Sequence, residues 1–426
     1  MGFFSRRRGA RRYEAGEFLF CREILGIQMI DRILELFEEE AETSGNTLTF
    51  RRKGMEISFA AFGTGDEGEA GVYARRELDG IRDYFRQVRT ENTDALRNLM
   101  FVLGRCQGIV RVNYSFELRN ERADQERIAA AENMIAQVLR GMSAVMTKGG
   151  EAIAGADGKV ILDGNGESEV KSFLPPLEDT SQDDKKKGIP GEALERRRKS
   201  VMELRRRQIY VPFWLPVLET EARTQARTKR QVCGRAAALL TVALYSECLL
   251  GEGMKPPQAR AFVREIIEHF RADEFFSPAE KAYLEDDFSE EAVRIHFSWQ
   301  YENLYVMEWA LGMFDSLSWP EKICDVGECV RKMREFDSFS EFEQAVKLRS
   351  KRELLDAADF IYRLDWACTD AGLNGFPAPG GILPDVVMER HRALFWAAGC
   401  MTADPGEGKK GQADRSAGWD RVDLST

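Results

Sequence analysis

The alternation of apolar and polar residues predicts a strand pair early in the chain. Residues Thr47 to Arg52 and Met55 to Phe62 alternate on either side of Lys53-Gly54, a dipeptide suited to a tight turn. A third alternating segment, Ile109 to Phe116, places its apolar residues on one face. We therefore expect that face to be buried in a sheet. Its members are Val110, Val112, Tyr114 and Phe116.

Apolar residues at helical spacing separate these strands. They predict helices over Glu77 to Val88, Thr93 to Leu103 and Glu121 to Arg140. Two short strands are expected next, interrupted at Gly149-Gly150 and at the Asp157-Gly158 turn. These elements predict an α+β domain over residues 17–170, preceded by a basic, flexible arm over residues 1–16.

The pattern changes after residue 170. Residues 171–191 are rich in Pro, Asp, Ser and Lys without apolar periodicity, which predicts a linker. Residues 192–400 have helical spacing throughout and predict an all-helical domain. Residues 401–418 are predicted to be a flexible segment, and residues 419–426 a C-terminal tail. The expected fold class is an α+β N-terminal domain followed by an all-α C-terminal domain.

Composition limits the class of protein. The 426 residues are 43% hydrophobic, enough to form cores, and 61 basic against 71 acidic residues give a net charge of −10. This charge argues against a protein that mainly coats nucleic acid. Eight cysteines without close pairing favour reduced thiols in the cytoplasm. The most apolar stretch, Val232 to Leu250, is interrupted by two charges, so we expect a buried helix and no membrane partner.

A local excess of positive charge has two interpretations. Lys185 to Arg207 contains ten Lys or Arg against three Glu. Such a helix can bind nucleic acid, or it can be a solvated face that pairs with the acidic stretch Asp273 to Glu291. We favour the second interpretation and do not expect a nucleic-acid partner.

Common catalytic and cofactor motifs are absent from the sequence. It contains no phosphate-binding loop, dinucleotide fingerprint, HExxH or GxSxG motif, and only three His. Cys324 and Cys329 have no second Cys pair and no nearby His, which argues against zinc. Asp163 to Glu167 fits a turn better than a calcium loop. We expect neither a metal nor a cofactor.

Several charged residues lie on apolar helix faces of the C-terminal half. Burying an unpaired charge costs several kcal/mol, so these residues are expected to meet one another. The predicted internal network contains Arg235, Arg363, Arg390 and His391 with Glu302, Asp359 and Asp365.

The predicted network has a structural and a catalytic interpretation. Paired charges can fix how helices cross; alternatively, carboxylates and His391 can exchange protons while arginines hold an anion. We favour the structural interpretation because the sequence identifies no nucleophile with its base, and we leave open whether the protein is an enzyme. The catalytic candidates are Glu302, Asp359, Arg363, Asp365, Arg390 and His391.

Five segments resemble one known family. They are RQVCGRAAALLTVALYSE, SPAEKAYL, FSWQYENLYVMEWALG, RSKRELLDAADFIYRLDWACTDA and VVMERHRALFWAAG. From about Glu192 onwards the chain resembles domain of unknown function 4272, and the region upstream resembles the α+β region that often precedes that domain. By position, the family pattern falls on Arg235, Trp299, Tyr301, Glu302, Trp309, Asp356, Asp359, Tyr362, Arg363, Trp366, Asp370, Glu389, Arg390, His391 and Trp396.

One residue departs from the family pattern. The family tends to have Asn where this chain has Phe395. If that Asn served catalysis, this chain would be a poor catalyst; if it made a packing hydrogen bond, Phe395 could repack. The resemblance implies a fold and no activity. We expect a cytoplasmic, non-enzymatic interaction or binding protein with a protein partner. The alternatives are an enzyme or small-anion binder using the charged cluster, and nucleic-acid binding through residues 185–207.

Overall fold

The structure is a computed structural model that describes residues 12–21, 42–52, 54–139, 144–177, 180–400 and 418–426. These residues form two compact units, divided between Pro176 and Leu177. The first is built on a sheet and the second is helical, which confirms the expected fold class.

The N-terminal domain contains one eight-stranded antiparallel sheet with the strand order β2-β3-β4-β5-β1-β6-β7-β8. Its strands are β1 (Arg12–Cys21), β2 (Glu42–Ser44), β3 (Thr47–Arg52), β4 (Met55–Gly63), β5 (Gly108–Glu117), β6 (Ala144–Lys148), β7 (Ala152–Ala154) and β8 (Val160–Asp163). Its helices are α1 (Gly68–Gln87), α2 (Thr93–Arg105) and α3 (Glu121–Leu139).

Alternation correctly predicted the buried face of this sheet. The predicted hairpin is β3 paired with β4, and the four apolar side chains of β5 are at most 3% exposed. They pack with Ala131, Ile135 and Val138 of α3 in one core. A period of two places all four β5 side chains on one side of the sheet, where α3 removes them from water.

One boundary and one strand count in this domain differ from the prediction. Residues 12–16, expected in a flexible arm, belong to β1, where Arg12 pairs with Glu117 of β5 and donates a hydrogen bond to Ser115 Oγ at 3.0 Å. Main-chain pairing offsets the unfavourable composition there, while residues 1–11 lie outside the described part. Three short strands, rather than two, follow α3, because each predicted turn separates its own pair, β6–β7 and β7–β8.

The C-terminal domain is a layered set of helices. They are α4 (Ser181–Lys186), α5 (Gly191–Arg206), α6 (Lys229–Leu250), α7 (Pro256–Phe270), α8 (Pro278–Glu285), α9 (Glu291–Ser298), α10 (Gln300–Ala310), α11 (Val326–Met333), α12 (Phe339–Ala345), α13 (Lys351–Leu373) and α14 (Pro384–Ala398). Single 3₁₀ turns lie at Ala272–Glu274, Pro379–Gly381 and Trp419–Arg421.

The predicted linker is partly ordered. Residues 181–186 form α4, because the Asp184 carboxylate accepts from Thr180 Oγ1 at 2.6 Å and forms a buried ion pair with Arg197 of α5. The ion pair between Asp184 and Arg197 thus stabilises α4, although the segment has no apolar periodicity. Residues 178–179 and most of the predicted flexible segment, 401–417, lie outside the described residues.

Helix α6 is the central helix of the C-terminal domain. It begins with a capping box in which Thr228 and Gln231 bond each other's main-chain amides. It is the one described helix long and apolar enough to cross a membrane. However, 89% of its most apolar 18-residue stretch is buried inside the domain. Its apolar surface is therefore used for core packing, as the two interrupting charges predicted.

Close packing around α6 leads to a stability prediction. A methyl group added at Gly234 would overlap the ring of Phe275. We expect Gly234→Ala to lower the free energy of unfolding by about 1 to 3 kcal/mol through overpacking. Gly372→Ala on α13, where the added methyl meets nothing within 4 Å, is the control and should raise stability slightly. Equal urea midpoints for the two variants would contradict the predicted contact.

Candidate functional site

The seven predicted charges are all buried, but the structure arranges them as separate ion pairs instead of one network. Their exposed fractions do not exceed 6%. Each carboxylate has its own cationic partner, and one cation pairs with a carboxylate that the sequence argument missed. The pairs are Glu302–Arg390, Asp359–Arg363, Asp365–His391 and Glu280–Arg235.

Glu302 and Arg390 join α10 to α14 and to the loop between α10 and α11. Arg390 Nε donates to Glu302 Oε2 at 3.0 Å, and its Nη1 donates to the carbonyl of Ser318. The other carboxylate oxygen of Glu302 accepts from the amide of Cys324. The guanidinium also lies 5.1 Å from the centre of the Tyr305 ring. Both charges are thus satisfied by groups of the protein itself.

Asp359 and Arg363 form a pair within α13. Arg363 donates to both carboxylate oxygens, at 2.8 and 2.9 Å, across one helical turn. It donates further to the carbonyl of Pro216 at 3.1 Å, which fastens the segment after α5 to α13. Both side chains are 0% exposed, so the pair is closed to solvent.

His391 is bonded to Asp365 across the α13–α14 interface. Its Nδ1 lies 2.7 Å from Asp365 Oδ2, which fixes the imidazole ring. Phe395, where the family resemblance led us to expect Asn, packs edge-on against the same ring at 4.0 Å between centroids. An aromatic contact thus occupies this position, and His391 is itself 0% exposed.

Arg235 was expected in the same network but pairs with Glu280, the N3 residue of α8. Arg235 Nη2 donates to Glu280 Oε1 at 2.6 Å, and the guanidinium lies 4.9 Å from the Trp419 ring centre. Glu280 also completes a capping box with Ser277. The S-x-x-E signature of that box was visible in the sequence and placed Glu280 in the first turn of a helix, but it carries no information about the pairing with Arg235.

Glu308 is a further buried carboxyl that sequence reasoning missed. It lies on α10 and is 0% exposed. Burial raises its pKa to about 8, an effect that the Cys329 thiol and the Lys332 ammonium partly offset. The sequence argument selected Glu302 on the same helix and passed over Glu308, although every residue of α10 is buried.

The raised pKa of Glu308 predicts a pH-dependent stability. The pKa of Glu308 in the folded protein exceeds its ordinary value of 4.5. The stabilisation by the protonated carboxyl is therefore fully present below pH 4.5 and is lost as the pH rises through about 8. Glu308→Gln, which mimics the neutral form, should therefore be more stable than the parent at pH 9 by roughly 1 to 4 kcal/mol and similar at pH 5. Urea titrations at both pH values measure this difference. Parallel pH profiles would contradict it, and exposed Glu268→Gln is the control.

The basic segment pairs with different acids than expected. Arg196, Arg197, Lys199, Arg206 and Arg207 form ion pairs with Glu192, Asp184, Asp356 and Glu203. The stretch 273–291 instead supplies partners for Arg230, Arg235, Arg260 and Arg271. The expected pairing of these two segments is therefore wrong, because α5 finds acids on its own surface, on α4 and on α13.

An apolar pocket of about 440 Å³ opens beside the Glu302–Arg390 pair. Its walls include Leu250 from the end of α6, Trp299 and Tyr301 around the start of α10, and Ile323 and Val326 around the start of α11. Ile323 is 56% exposed and Leu250 is 37% exposed. Cys324 and Glu302 also line it, and exposed Glu247 lies at its edge. The sequence analysis identified Trp299 only as a position of the family pattern and did not predict this pocket.

The described residues contain no group of three or more His, Cys, Asp or Glu side chains placed to hold a metal ion. The chemistry of this domain, as far as the structure describes it, is that of closed ion pairs next to an apolar surface cavity.

Comparison with known proteins identifies the family. Neither a curated protein nor a solved structure matches the chain. The family described as "Domain of unknown function (DUF4272)" matches residues 196–422, more than half of the chain and nearly all of the helical domain. That range includes Glu302, Asp359, Arg363, Asp365, Arg390 and His391. The chain therefore belongs to the DUF4272 family.

Proposed function

We propose that this chain is a non-enzymatic binding protein whose C-terminal domain holds an apolar side chain of a protein partner in the pocket between Leu250, Trp299 and Ile323. The observation that carries the proposal is the contrast between two kinds of surface. The charged candidates are sealed and paired, whereas the neighbouring cavity is open and lined largely by apolar groups. Concave apolar sites of this size are typical binding sites, and the anchor residues of protein interfaces are buried in pockets of this kind.

Charge around the pocket specifies the partner further. Exposed Glu247 lines the pocket and accepts a hydrogen bond from the hydroxyl of Tyr301 at 2.6 Å. Three exposed charged residues adjoin lining residues along the chain, and acids outnumber bases among them: Glu252, Asp325 and Lys322. A partner segment with Lys or Arg next to its apolar side chain complements these carboxylates. We therefore propose that the partner is a peptide segment in which Leu, Ile, Met or an aromatic residue is followed or preceded by a basic residue.

Selection from a displayed library of random peptides tests this proposal on the full chain. The expected consensus is one large apolar residue beside Lys or Arg. Binding of the selected peptide, measured by isothermal titration calorimetry, should weaken at least about tenfold in Ile323→Asp, since a buried anchor contributes about 2 kcal/mol. Leu373→Asp, at an exposed leucine outside the pocket, is the matched control and should bind normally.

Two outcomes would contradict the proposal. One is a selected consensus that is acidic or lacks an apolar residue. The other is equal loss of binding in Ile323→Asp and Leu373→Asp. Salt-dependent binding of a nucleic acid that is lost when basic residues of 185–207 are replaced would support the alternative partner class, which the ion-paired state of Arg196 and Arg197 disfavours.

The enzyme or small-anion alternative requires that substrate reach the charged pairs. Of its six candidate residues, Glu302 lines the pocket, and its carboxylate is already engaged by Arg390 and the Cys324 amide. Asp359, Arg363 and His391 are fully buried. These contacts support a structural role for the charged pairs. The open pocket is then the better candidate for a binding site, as proposed.

A further inference from the structure

Phe288 is the most exposed large apolar side chain in the described part of the chain, with 89% of its surface open to water. It lies in the connection between α8 and α9. Because nearly the whole ring is solvated, it occupies no cavity of its own molecule. A single exposed apolar residue is ordinary on a protein surface, but the order of this loop and its charge distinguish Phe288.

The loop that carries Phe288 is held in place on both sides of the ring. Before it, Asp286 Oδ1 accepts from the amide of Phe288 at 2.8 Å, and Asp287 forms an ion pair with α7. After it, Ser289 is buried, and its hydroxyl accepts from Arg294 Nε at 3.2 Å. The ring therefore projects from an ordered segment, so that little conformational entropy is lost when another molecule covers it.

Acidic residues surround Phe288 along the chain. Five exposed carboxylates and no Lys or Arg lie within three residues of it: Glu285, Asp286, Asp287, Glu290 and Glu291. We call residues 285–291 the acidic loop. A site that accepts this ring from another molecule should be apolar inside and positive at its rim. The pocket beside Ile323 does not meet this condition, because acids outnumber bases around it.

The same domain contains an apolar cavity between α4 and α5. It has a volume of about 720 Å³, and its apolar walls are the half-buried side chains of Ile189, Leu194 and Phe213. The guanidinium of Arg197, which is paired with Asp184, lies 4.5 Å from the centre of the Phe213 ring and holds that wall. A cavity of this size can take a phenyl ring together with part of its main chain.

Basic residues predominate at the rim of this cavity. The exposed charged residues that line it, or adjoin its walls along the described chain, are five bases and two acids: Lys185, Lys186, Lys187, Arg198 and Lys199 against Asp183 and Glu195. Two of the bases, Lys186 and Lys199, form ion pairs. The other three have no ion pair within the part of the chain that the structure describes, so their charge is available to a partner.

We propose that Phe288 of one molecule binds in the cavity between α4 and α5 of a second copy of this chain, with the acidic loop against the basic rim. This contact goes beyond the proposed function, because neither surface belongs to the pocket beside Ile323. The two surfaces differ, so the contact is head-to-tail, and each molecule keeps one free surface of each kind. Such contacts extend into open chains or close into rings.

Sedimentation velocity of the full chain over a concentration series tests the proposal. The mass of the parent should rise with concentration, and less in about 1 M than in about 0.1 M NaCl, because salt screens exposed charges. Phe288→Ser should weaken the association at least about tenfold through loss of a buried aromatic anchor. Leu373→Ser, at a leucine that is 84% exposed on α13, is the matched control and should associate like the parent.

A mixture of two variants tests which surfaces meet. Phe288→Ser retains the basic cavity, and Lys185→Glu combined with Arg198→Glu retains the acidic loop. Each variant alone should stay monomeric where the parent associates, whereas their equimolar mixture should form a dimer and nothing larger, because one intact contact remains. All replaced residues are exposed, so the urea midpoints should match that of the parent and confirm that the variants fold.

Several results would overturn the proposal. They are a parent that stays monomeric at every concentration, an association that salt strengthens, and a mixture of the two variants that stays monomeric. Ile323→Asp should associate like the parent, and a loss of association there would place the ring in the other pocket. Because peptide binding beside Ile323 can be measured on Phe288→Ser, failure of either proposal leaves the other separately testable.

Discussion

Glu302→Ala is expected to lower the free energy of unfolding of the C-terminal domain by about 3 to 5 kcal/mol. The substitution removes the carboxylate that accepts from Arg390 and from the Cys324 amide, and leaves the guanidinium of Arg390 buried without its counter-charge. All seven tryptophans lie at or after residue 214, so tryptophan fluorescence during urea denaturation reports on this domain alone.

The control for Glu302 is Glu268→Ala on the exposed side of α7, where we expect a change within about 0.5 kcal/mol. Asp365→Ala should resemble Glu302→Ala, because His391 then loses the group bonded to its Nδ1. If Glu302→Ala and Glu268→Ala have the same urea midpoint, the pair does not stabilise the fold as described.

Glu280→Ala should be at least as damaging as Glu302→Ala, because Glu280 has two functions. It neutralises buried Arg235, and its carboxylate accepts from the amide of Ser277 at 2.8 Å to cap α8. Loss of the ion pair costs about 3 to 5 kcal/mol and loss of a cap about 1 kcal/mol, although the two effects are not additive because they share one carboxylate. Chemical denaturation monitored by tryptophan fluorescence measures the combined effect of losing the ion pair and the cap.

A double variant separates the buried charge from the cap. Arg235→Met combined with Glu280→Gln removes both charges and keeps a side chain that can bond the Ser277 amide. We expect the double variant to recover at least about 2 kcal/mol relative to Glu280→Ala, because the unpaired guanidinium is gone. A double variant as unstable as Glu280→Ala would contradict this expectation and show that the contact of the guanidinium with the Trp419 ring stabilises the fold more than its charge balance does.

The sequence predicted elements well where one periodicity dominated. The β3–β4 hairpin and the buried face of β5 followed from a period of two, and α13 from spacings of three and four. Prediction failed where long-range pairing decided the outcome. β1 begins at Arg12 because β5 supplies a neighbouring strand, and α4 forms because Arg197 lies across from Asp184.

The candidate site shows the same division. Charges on apolar stripes correctly indicated burial, as for Glu302 and Asp359. Partner choice depends on how helices cross, so Arg235 was assigned to the wrong carboxylates, and the capping box at Ser277 did not indicate its pairing with Glu280. The pocket arises between three segments distant in sequence, and no local pattern distinguishes an exposed Ile323 from a core isoleucine.

The most direct test of the binding proposal is methyl NMR of the full chain labelled at isoleucine δ1 groups, titrated with the selected apolar–basic peptide. The proposal predicts a saturable shift of the Ile323 methyl at the pocket, with little change at Ile361, which is buried on α13 among the charged pairs. A peptide that binds and shifts Ile361 while Ile323 stays unchanged would contradict the proposal and place the function at the charged pairs.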